Sequence, residues 1–351
     1  MAKKRVLSGI RATGRLHLGN YLGAVKGMLA LQDDPDYETF YMIADLHTTT
    51  TPFEPAELKK GRREVLLDYL AAGLDTEKSA IFAQSDLADL HAQLAFYFST
   101  VVSVARLRHL PTFKDKVKQY PGQVTMALLN YPVLMAADIL IYKASKVPVG
   151  IDQEPHLEVA REIARKMNSK YNLNFPEPTR FATKGEHIPS LTGKGKMSKS
   201  VQGSYLNLTD DLPAIKAKLA KVPTDAGVGD LKYENVPKGA AEKLKYFGVY
   251  ESKQTKESRG VAVLMLLVEI FQGKERKEEY DKQYEGEGIS YQKLKGELAK
   301  AIFEEFKPIQ KKRKEFEEKP EYVEKVLEKG AKAARKVAEI TVREVRDKMG
   351  I

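Results

Sequence analysis

Over its first 200 residues the chain alternates short apolar runs with longer stretches of helical spacing. Residues 5–10, 39–44 and 80–84 read as strands, the VPVG of residues 147–150 ends another, and helices begin near Gly19 and near Pro55. Such alternation predicts βαβ units and a parallel sheet. Ligands of such sheets sit outside the carboxyl ends of the strands, where loops meet helices. Residues 90–104 form a run apolar over most of a helical circumference, and residues 124–144 predict a second long helix carrying Pro132. The first run is expected to be core, and its width also suits a subunit contact.

Beyond about residue 200 the alternation stops. Helices rich in Lys and Glu are expected at 214–221, 261–271 and 291–306, while residues 235–259 are too polar to assign. A final helix at 322–349 has Val323, Val326, Leu327, Ala334, Val337 and Ile340 at helical spacing. The pattern predicts an α/β fold: a Rossmann-like parallel-sheet domain over 1–203, with an insertion around 88–145, followed by a smaller all-α C-terminal domain. The latter divides into 204–306 and C-terminal helices over 307–351 that pack back toward the catalytic domain.

Composition narrows the function. With 351 residues, 42% hydrophobic and charges of both signs throughout, the chain has enough apolar material for a packed core. Lys and Arg outnumber Asp and Glu by 58 to 48, which suits a polyanionic partner, although many proteins of this length carry such a surplus. The absence of cysteine excludes disulfides, thiolate metal sites and cysteine nucleophiles, and agrees with a cytoplasmic setting. The six histidines show no metal-ligand spacing, so no protein-held metal is expected. No apolar signal core opens the sequence, and its longest apolar stretch, 261–268, is too short to span a bilayer.

Candidate chemistry lies in three segments. SGIRATGRLHLGNYLGA, residues 8–24, has Gly9, Gly14 and Gly19 where a backbone must turn tightly or approach a ligand, with His17 and Asn20 at the start of a helix. GKGKMSKS, residues 193–200, carries Lys194, Lys196 and Lys199 on a glycine-flexed loop. It reads either as a solvated basic turn or as a clamp that neutralises a leaving pyrophosphate. NYPVLMAADILIY, residues 130–142, sets Tyr131, Met135 and Asp138 on one helical face. A carboxylate on an apolar face needs a partner. Substrate, a backbone amide or an arginine would each serve. Indole has only a donor to offer, so Asp138 beside Met135 would suit it and reject a phenyl ring, although a phenol can donate as well.

An HxGN turn after the first strand and a distant KMSKS loop together resemble the paired signatures of class I aminoacyl-tRNA synthetases. The likeness assigns His17, Gly19, Asn20, Lys196 and Lys199 to ATP binding and transition-state support, with Mg2+ accompanying the nucleotide. In order and spacing, the segments TGRLHLGNYLGA, ADLH, FKDK, YPVLMAADILIY and VPVGIDQEPHLEVAREIA are similar to the bacterial tryptophanyl-tRNA synthetase family. That resemblance implies L-tryptophan and tRNA(Trp) as partners, a homodimer, and anticodon recognition by residues 204–306. It adds Arg11, Thr13, Gly14, Gly150, Asp152, Gln153, Met197 and Ser198 to the ATP site, and Lys116 to the phosphates. It gives the indole N–H to Asp138, the ring to Met135 and the α-amino group to Tyr131 and Gln153, with Leu7, Gly9, His47, Val147 and Val149 completing the pocket. A tyrosyl-tRNA ligase, a non-charging paralogue and a small-molecule adenylating relative without tRNA are the competing readings.

The chain departs from the family in places. Arg11 and Ala12 stand where Gln-Pro is common, Leu7 where a bulky aromatic is frequent, and Thr48 to Thr51 where small apolar residues are usual; the threonine run reads as a solvated loop or helix cap. Residues 240–258 look inserted, with Lys243, Lys245, Lys253 and Lys256 interleaved with Tyr246, Phe247 and Tyr250, and are expected to decorate the surface.

Overall fold

The computed structural model describes residues 3–182, 188–193, 195–199, 201–227 and 256–351. The basic and aromatic set of the 240–258 stretch, and Lys194 and Ser200, fall outside the described residues or have undescribed side chains. Five parallel strands, β1 (Lys4–Arg11), β2 (Tyr37–Ala44), β3 (Ser79–Ala83), β4 (Ala144–Val147) and β5 (Thr179–Arg180), lie in the order β3-β2-β1-β4-β5. Chain direction across the sheet reverses between β1 and β4, the crevice where ligands of such sheets bind. Arg11 lies beside Ala44 and Ile43 beside Ala83, so three central strands deliver their loops to one edge. β5 escaped the sequence reading because it has two residues and no apolar run.

Alternate residues of the strands feed two cores, as the pleat requires. Val6, Tyr41, Ile43 and Ile81 face one, and Leu7, Phe40, Met42 and Phe82 the other. The helices in chain order are α1 (Leu18–Asn20), continued by a π-helical segment (Tyr21–Val25) into α2 (Lys26–Gln32), then α3 (Asp45–Thr48), α4 (Pro55–Ala72), α5 (Ala88–Ser99), α6 (Val104–Arg108), α7 (Pro111–Gln119), α8 (Met126–Ile141) and α9 (Glu154–Tyr171). There follow α10 (Leu212–Ala220), α11 (Lys256–Gln272), α12 (Lys274–Glu285), α13 (Tyr291–Glu317) and α14 (Pro320–Met349).

Among the predicted helices whose bounds change, three have a clear local cause. The run 90–104 breaks after Ser99, because β-branched Thr100, Val101 and Val102 disfavour helix and Ser103 caps α6 by accepting from Arg106 N. The helix expected over 124–144 begins after Thr125, which caps it, and stops at Ile141; Lys143 takes φ 49° and Ala144 opens β4. The helix expected over 291–306 continues to Glu317, since buried Ile309 and Arg313 extend its inward stripe, so the boundary set at 306/307 falls inside α13.

α14 lies across the outer edge of β3. Its Val323, Val326 and Leu327 join one core, and Ala334, Ala338, Val342 and Val345 the other. Between them a Cβ on Gly330 would come within 1.8 Å of the Ile81 carbonyl oxygen. Helix backbone thus rests on strand backbone, covering an otherwise open edge. Gly330→Ala is expected to destabilise the fold by roughly 1–3 kcal/mol through overpacking. Gly296→Ala on α13, where a Cβ meets nothing within 4 Å, should instead stabilise by up to about 1 kcal/mol. Denaturant midpoints that move together for both variants would refute the close approach.

Candidate active site

The turn leaving β1 is built by neighbours that a side chain in the wrong place would displace. Gly14 takes φ 94°, open to glycine, and a Cβ on Gly61 of α4 would lie 2.1 Å from Ala12 O, so the helix seats directly on the turn. His17 then caps α1: its Nδ1 accepts from Asn20 N at 3.3 Å, and Asn20 Oδ1 accepts from His17 N at 3.3 Å. Leu18 N donates to Leu206 O at 2.8 Å and Leu208 N to Leu16 O at 3.1 Å, stitching the turn to the segment after the lysine loop.

The two distant motifs meet here. A Cβ at Gly19 would lie 3.0 Å from His17 Cε1 and 3.4 Å from buried Met197 Cβ, and Lys199 Nζ donates to Thr13 O at 3.1 Å. Burial, reinforced by Lys199 and Lys196, pushes His17 down to about 3. The ring is therefore neutral at physiological pH. Because Nδ1 accepts, its proton is on Nε2, an uncharged donor.

Positive charge gathers around this turn. Burial lowers Lys199 to about 8 despite Asp68 and Glu64, and lowers Lys116 of α7 with help from Arg11 and Lys196. Lys116 Nζ donates to Gln119 Oε1 at 2.9 Å. Lys196 pairs with Asp152; Arg11, Lys116 and Lys199 have no ion-pair partner among the described residues. Such a cluster is costly without an anion and prepared for one.

Arg11 corrects the reading of the threonine run. Its Nη2 donates to Thr48 O at 3.2 Å and Thr51 Oγ1 at 2.6 Å, and buried Thr48 Oγ1 accepts from Ala12 N at 3.0 Å. The run is no solvated loop. Thr49 and Thr50 do bond the carbonyls of Leu46 and His47 at 2.8 Å, as helix-end residues would.

On α8, the Asp138 carboxylate is 1% exposed. Neither an arginine nor a backbone amide meets it. His47 Nε2 donates to Oδ2 at 2.7 Å, while Gln84 Nε2 at 2.8 Å and His91 Nδ1 at 2.5 Å both reach Oδ1. Burial opposes its ionisation, but the histidines and their hydrogen bonds prevail and hold it below the ordinary carboxylate range. Oδ2 has one protein donor and retains room for a second. Gln84 and His91 were missed in the sequence; the usable signal was Gln84, at the carboxyl end of β3.

Tyr131 joins a second relay. Its hydroxyl lies 2.7 Å from His156 Nε2, which also meets Thr112 Oγ1 at 2.9 Å, and His156 Nδ1 lies 3.0 Å from Gln153 Oε1. Burial, against Asp152, takes His156 down to about 4, so it is neutral. The Gln153 carbonyl can only accept, which puts the ring proton on Nδ1 and leaves Nε2 to accept from Tyr131. The hydroxyl oxygen of Tyr131 and Oε1 of Gln153 consequently keep lone pairs for a cationic ligand. Sequence reasoning missed His156, although its place three residues after Gln153 on one helical face was a signal.

The remaining predicted residues are less direct. Leu7, Val147 and Val149 are buried in the second core, Met135 is partly buried against it, and Gly9 allows the Met42 side chain to pack at 3.1 Å from where a Cβ would stand. Gly150 precedes the short 3-10 turn that presents Asp152 and Gln153. Ser198 is tied by its backbone to the Ser204 hydroxyl, and Thr13 is exposed. A cavity of about 420 Å3 opens between Thr13, Gly14, Thr48, Phe53 and Lys199. Among the described residues no helix is long and apolar enough to cross a membrane, and no group of three or more His, Cys, Asp or Glu could hold a metal.

The family model of tRNA synthetases class I (W and Y) matches residues 2–307. A tryptophan--tRNA ligase of Rickettsia bellii is 39% identical over 354 residues, covering 99% of each chain. The crystal structure of tryptophanyl-tRNA synthetase from Mycoplasma pneumoniae superposes with a TM-score of 0.81 at 28% identity, covering 99% of this chain and 98% of that one. The Campylobacter jejuni tryptophanyl-tRNA synthetase complexed with ADP and tryptophan gives 0.75 at 29%, covering 99% and 100%.

Proposed function

The chain belongs to the class I tRNA synthetases for tryptophan and tyrosine (W and Y), and on that premise we propose that it joins L-tryptophan to tRNA(Trp) at the expense of ATP. A tryptophan carboxylate oxygen bonds to the α-phosphorus as the bond to the pyrophosphate oxygen breaks. A hydroxyl of the terminal tRNA adenosine then bonds to the acyl carbon, and AMP leaves. The observation that carries this reading is the meeting of Lys199 and Met197 with the turn of His17 and Gly19.

No protein nucleophile is needed, so the residues act by positioning and charge. Nε2 of neutral His17 donates to a phosphate oxygen without adding repulsion to the neighbouring lysines. Arg11, Lys116, Lys196 and Lys199 offset the triphosphate, while Thr13, Gly14, Gly19, Asn20, Gly150, Asp152, Met197 and Ser198 line the nucleotide. Magnesium enters as part of that substrate, since the surrounding side chains are mostly cationic and suit phosphate oxygens better than a metal ion.

At the other end, Asp138 Oδ2 accepts the indole N–H over Met135. Tyr131 and Gln153, aligned by His156, take the α-ammonium. His47, Leu7, Gly9, Val147 and Val149 close the pocket. Residues 1–203 form the catalytic domain, the helical part that follows it through α13 reads the anticodon, and α14 returns to the catalytic part. A homodimer is supported by exposed Phe96, Val104 and Met126, all within the 88–145 insertion, and the absence of cysteine agrees with a cytoplasmic setting.

Amino-acid-dependent exchange of ATP and pyrophosphate tests the reading, with tryptophan, tyrosine and phenylalanine compared. Exchange is expected with tryptophan. Exchange with tyrosine alone, or with none of the three, would overturn it.

A further inference from the structure

The His17 turn is braced by side chains of α4, which are themselves held by α13 of the C-terminal helical region. Arg313 is 3% exposed and spends its guanidinium on acidic groups: Nη1 pairs with Asp68, Nη2 with Glu64 Oε2 at 2.6 Å, and Nε with Glu317 Oε1 at 2.9 Å. Asp68 and Glu64 stand one turn apart on α4, and each uses an oxygen on the turn itself. Asp68 Oδ2 accepts from Leu16 N at 2.5 Å, and Glu64 Oε2 from Arg15 Nε at 2.8 Å. Two other α13 residues grip neighbours of the same turn. Gln310 Nε2 donates to Leu208 O and Asp210 O at 2.9 Å, and Glu305 accepts from the Tyr21 hydroxyl at 2.9 Å.

We propose that Arg313 is a positioning residue for adenylate formation, fixing the turn that carries His17 through Asp68 and the Leu16 amide. The proposal rests on the reading of His17 as a transition-state donor. Asp68 is 0% exposed, so its carboxylate depends on Arg313 for compensation. With that compensation it fixes Leu16 N, while Leu208 N fixes Leu16 O. The residue before His17 is thus held on both its polar groups, and the imidazole inherits that placement. A displacement of about 1 Å at such a donor can cost on the order of a hundredfold in rate.

The test uses the full chain and reads tryptophan-dependent exchange, tryptophan affinity by ligand fluorescence and melting temperature. The chain contains no tryptophan, so the fluorescence has no background from tryptophan residues. Arg313→Met is expected to lower kcat about ten- to a hundredfold, with tryptophan affinity changed less than about twofold because the Asp138 pocket lies across the sheet. Arg313→Lys recovers part of kcat, since an ammonium cannot serve both carboxylates as a planar fork does. The double variant Asp68→Asn with Arg313→Met removes the buried charge yet keeps an acceptor for Leu16 N, and should regain both melting temperature and most of kcat.

Unchanged exchange per folded molecule in Arg313→Met would overturn the proposal. So would a double variant that regains stability but not kcat. A wild-type chain lacking tryptophan-dependent exchange would instead overturn the functional reading beneath it.

Discussion

Tryptophan-dependent exchange of ATP and pyrophosphate falls about 10²–10³-fold in Lys199→Met, the range expected when one preorganised donor to a developing charge is removed. Lys199 is the cation that the lysine loop brings onto the His17 turn, and burial holds it near 8. The sign of the pH dependence follows. The working form is protonated, so kcat/KM for ATP in the wild type is full below about pH 8 and declines as pH rises through that value. Bound triphosphate favours the cation, so the decline in kcat itself lies at higher pH. His17, at about 3, is neutral throughout and adds no acid limb above pH 5. In Lys199→Met the limb near pH 8 should vanish with the rate. A flat wild-type profile from pH 7 to 9.5 together with unchanged exchange in Lys199→Met would show that the lysine is a bystander.

Asp138→Ala should weaken tryptophan affinity by about two orders of magnitude, corresponding to roughly 3 kcal/mol for a buried donor left unpaired, while the KM for ATP changes little. The cost has two sources. Indole loses its acceptor, and His47, Gln84 and His91 lose the carboxylate that orders them. Titration of intrinsic ligand fluorescence separates the two roles, with ATP binding as the control for folding. Tryptophan affinity that survives the substitution would mark Asp138 as an anchor for the two histidines and nothing more. Asp138→Asn is the subtler case: it keeps the shape but presents an amide to three donors, so the pocket is expected to loosen as well as lose its acceptor.

Much of this site could be seen in the sequence because its chemistry is local. His17, Gly19 and Asn20 sit within one turn, Lys196 to Lys199 on one loop, and Tyr131, Met135 and Asp138 on one helical face, so spacing alone groups them. The strand ends were equally legible from apolar runs that stop at Ile10 and Ala44. What could not be read was which groups from different elements meet. Asp138 has an obvious need for a partner, yet Gln84 comes from the end of β3 and His91 from α5, and no spacing links them to α8. Arg11 and the threonine run stood out separately as oddities; only folding makes Thr48 and Thr51 the acceptors for that guanidinium. Arg313 was invisible for a related reason, since a lysine- and glutamate-rich helix gives no sign of which charge turns inward.

The placement of α14 on β3 also bears on synthesis. Positions 81 and 330 are far apart in the chain, and translation at 5–20 residues per second separates their emergence by about 10–50 s. Through that interval the backbone groups along the free side of β3 have no helix over them. The nascent sheet must then rely on delayed pairing or on chaperones to keep that side from joining another chain.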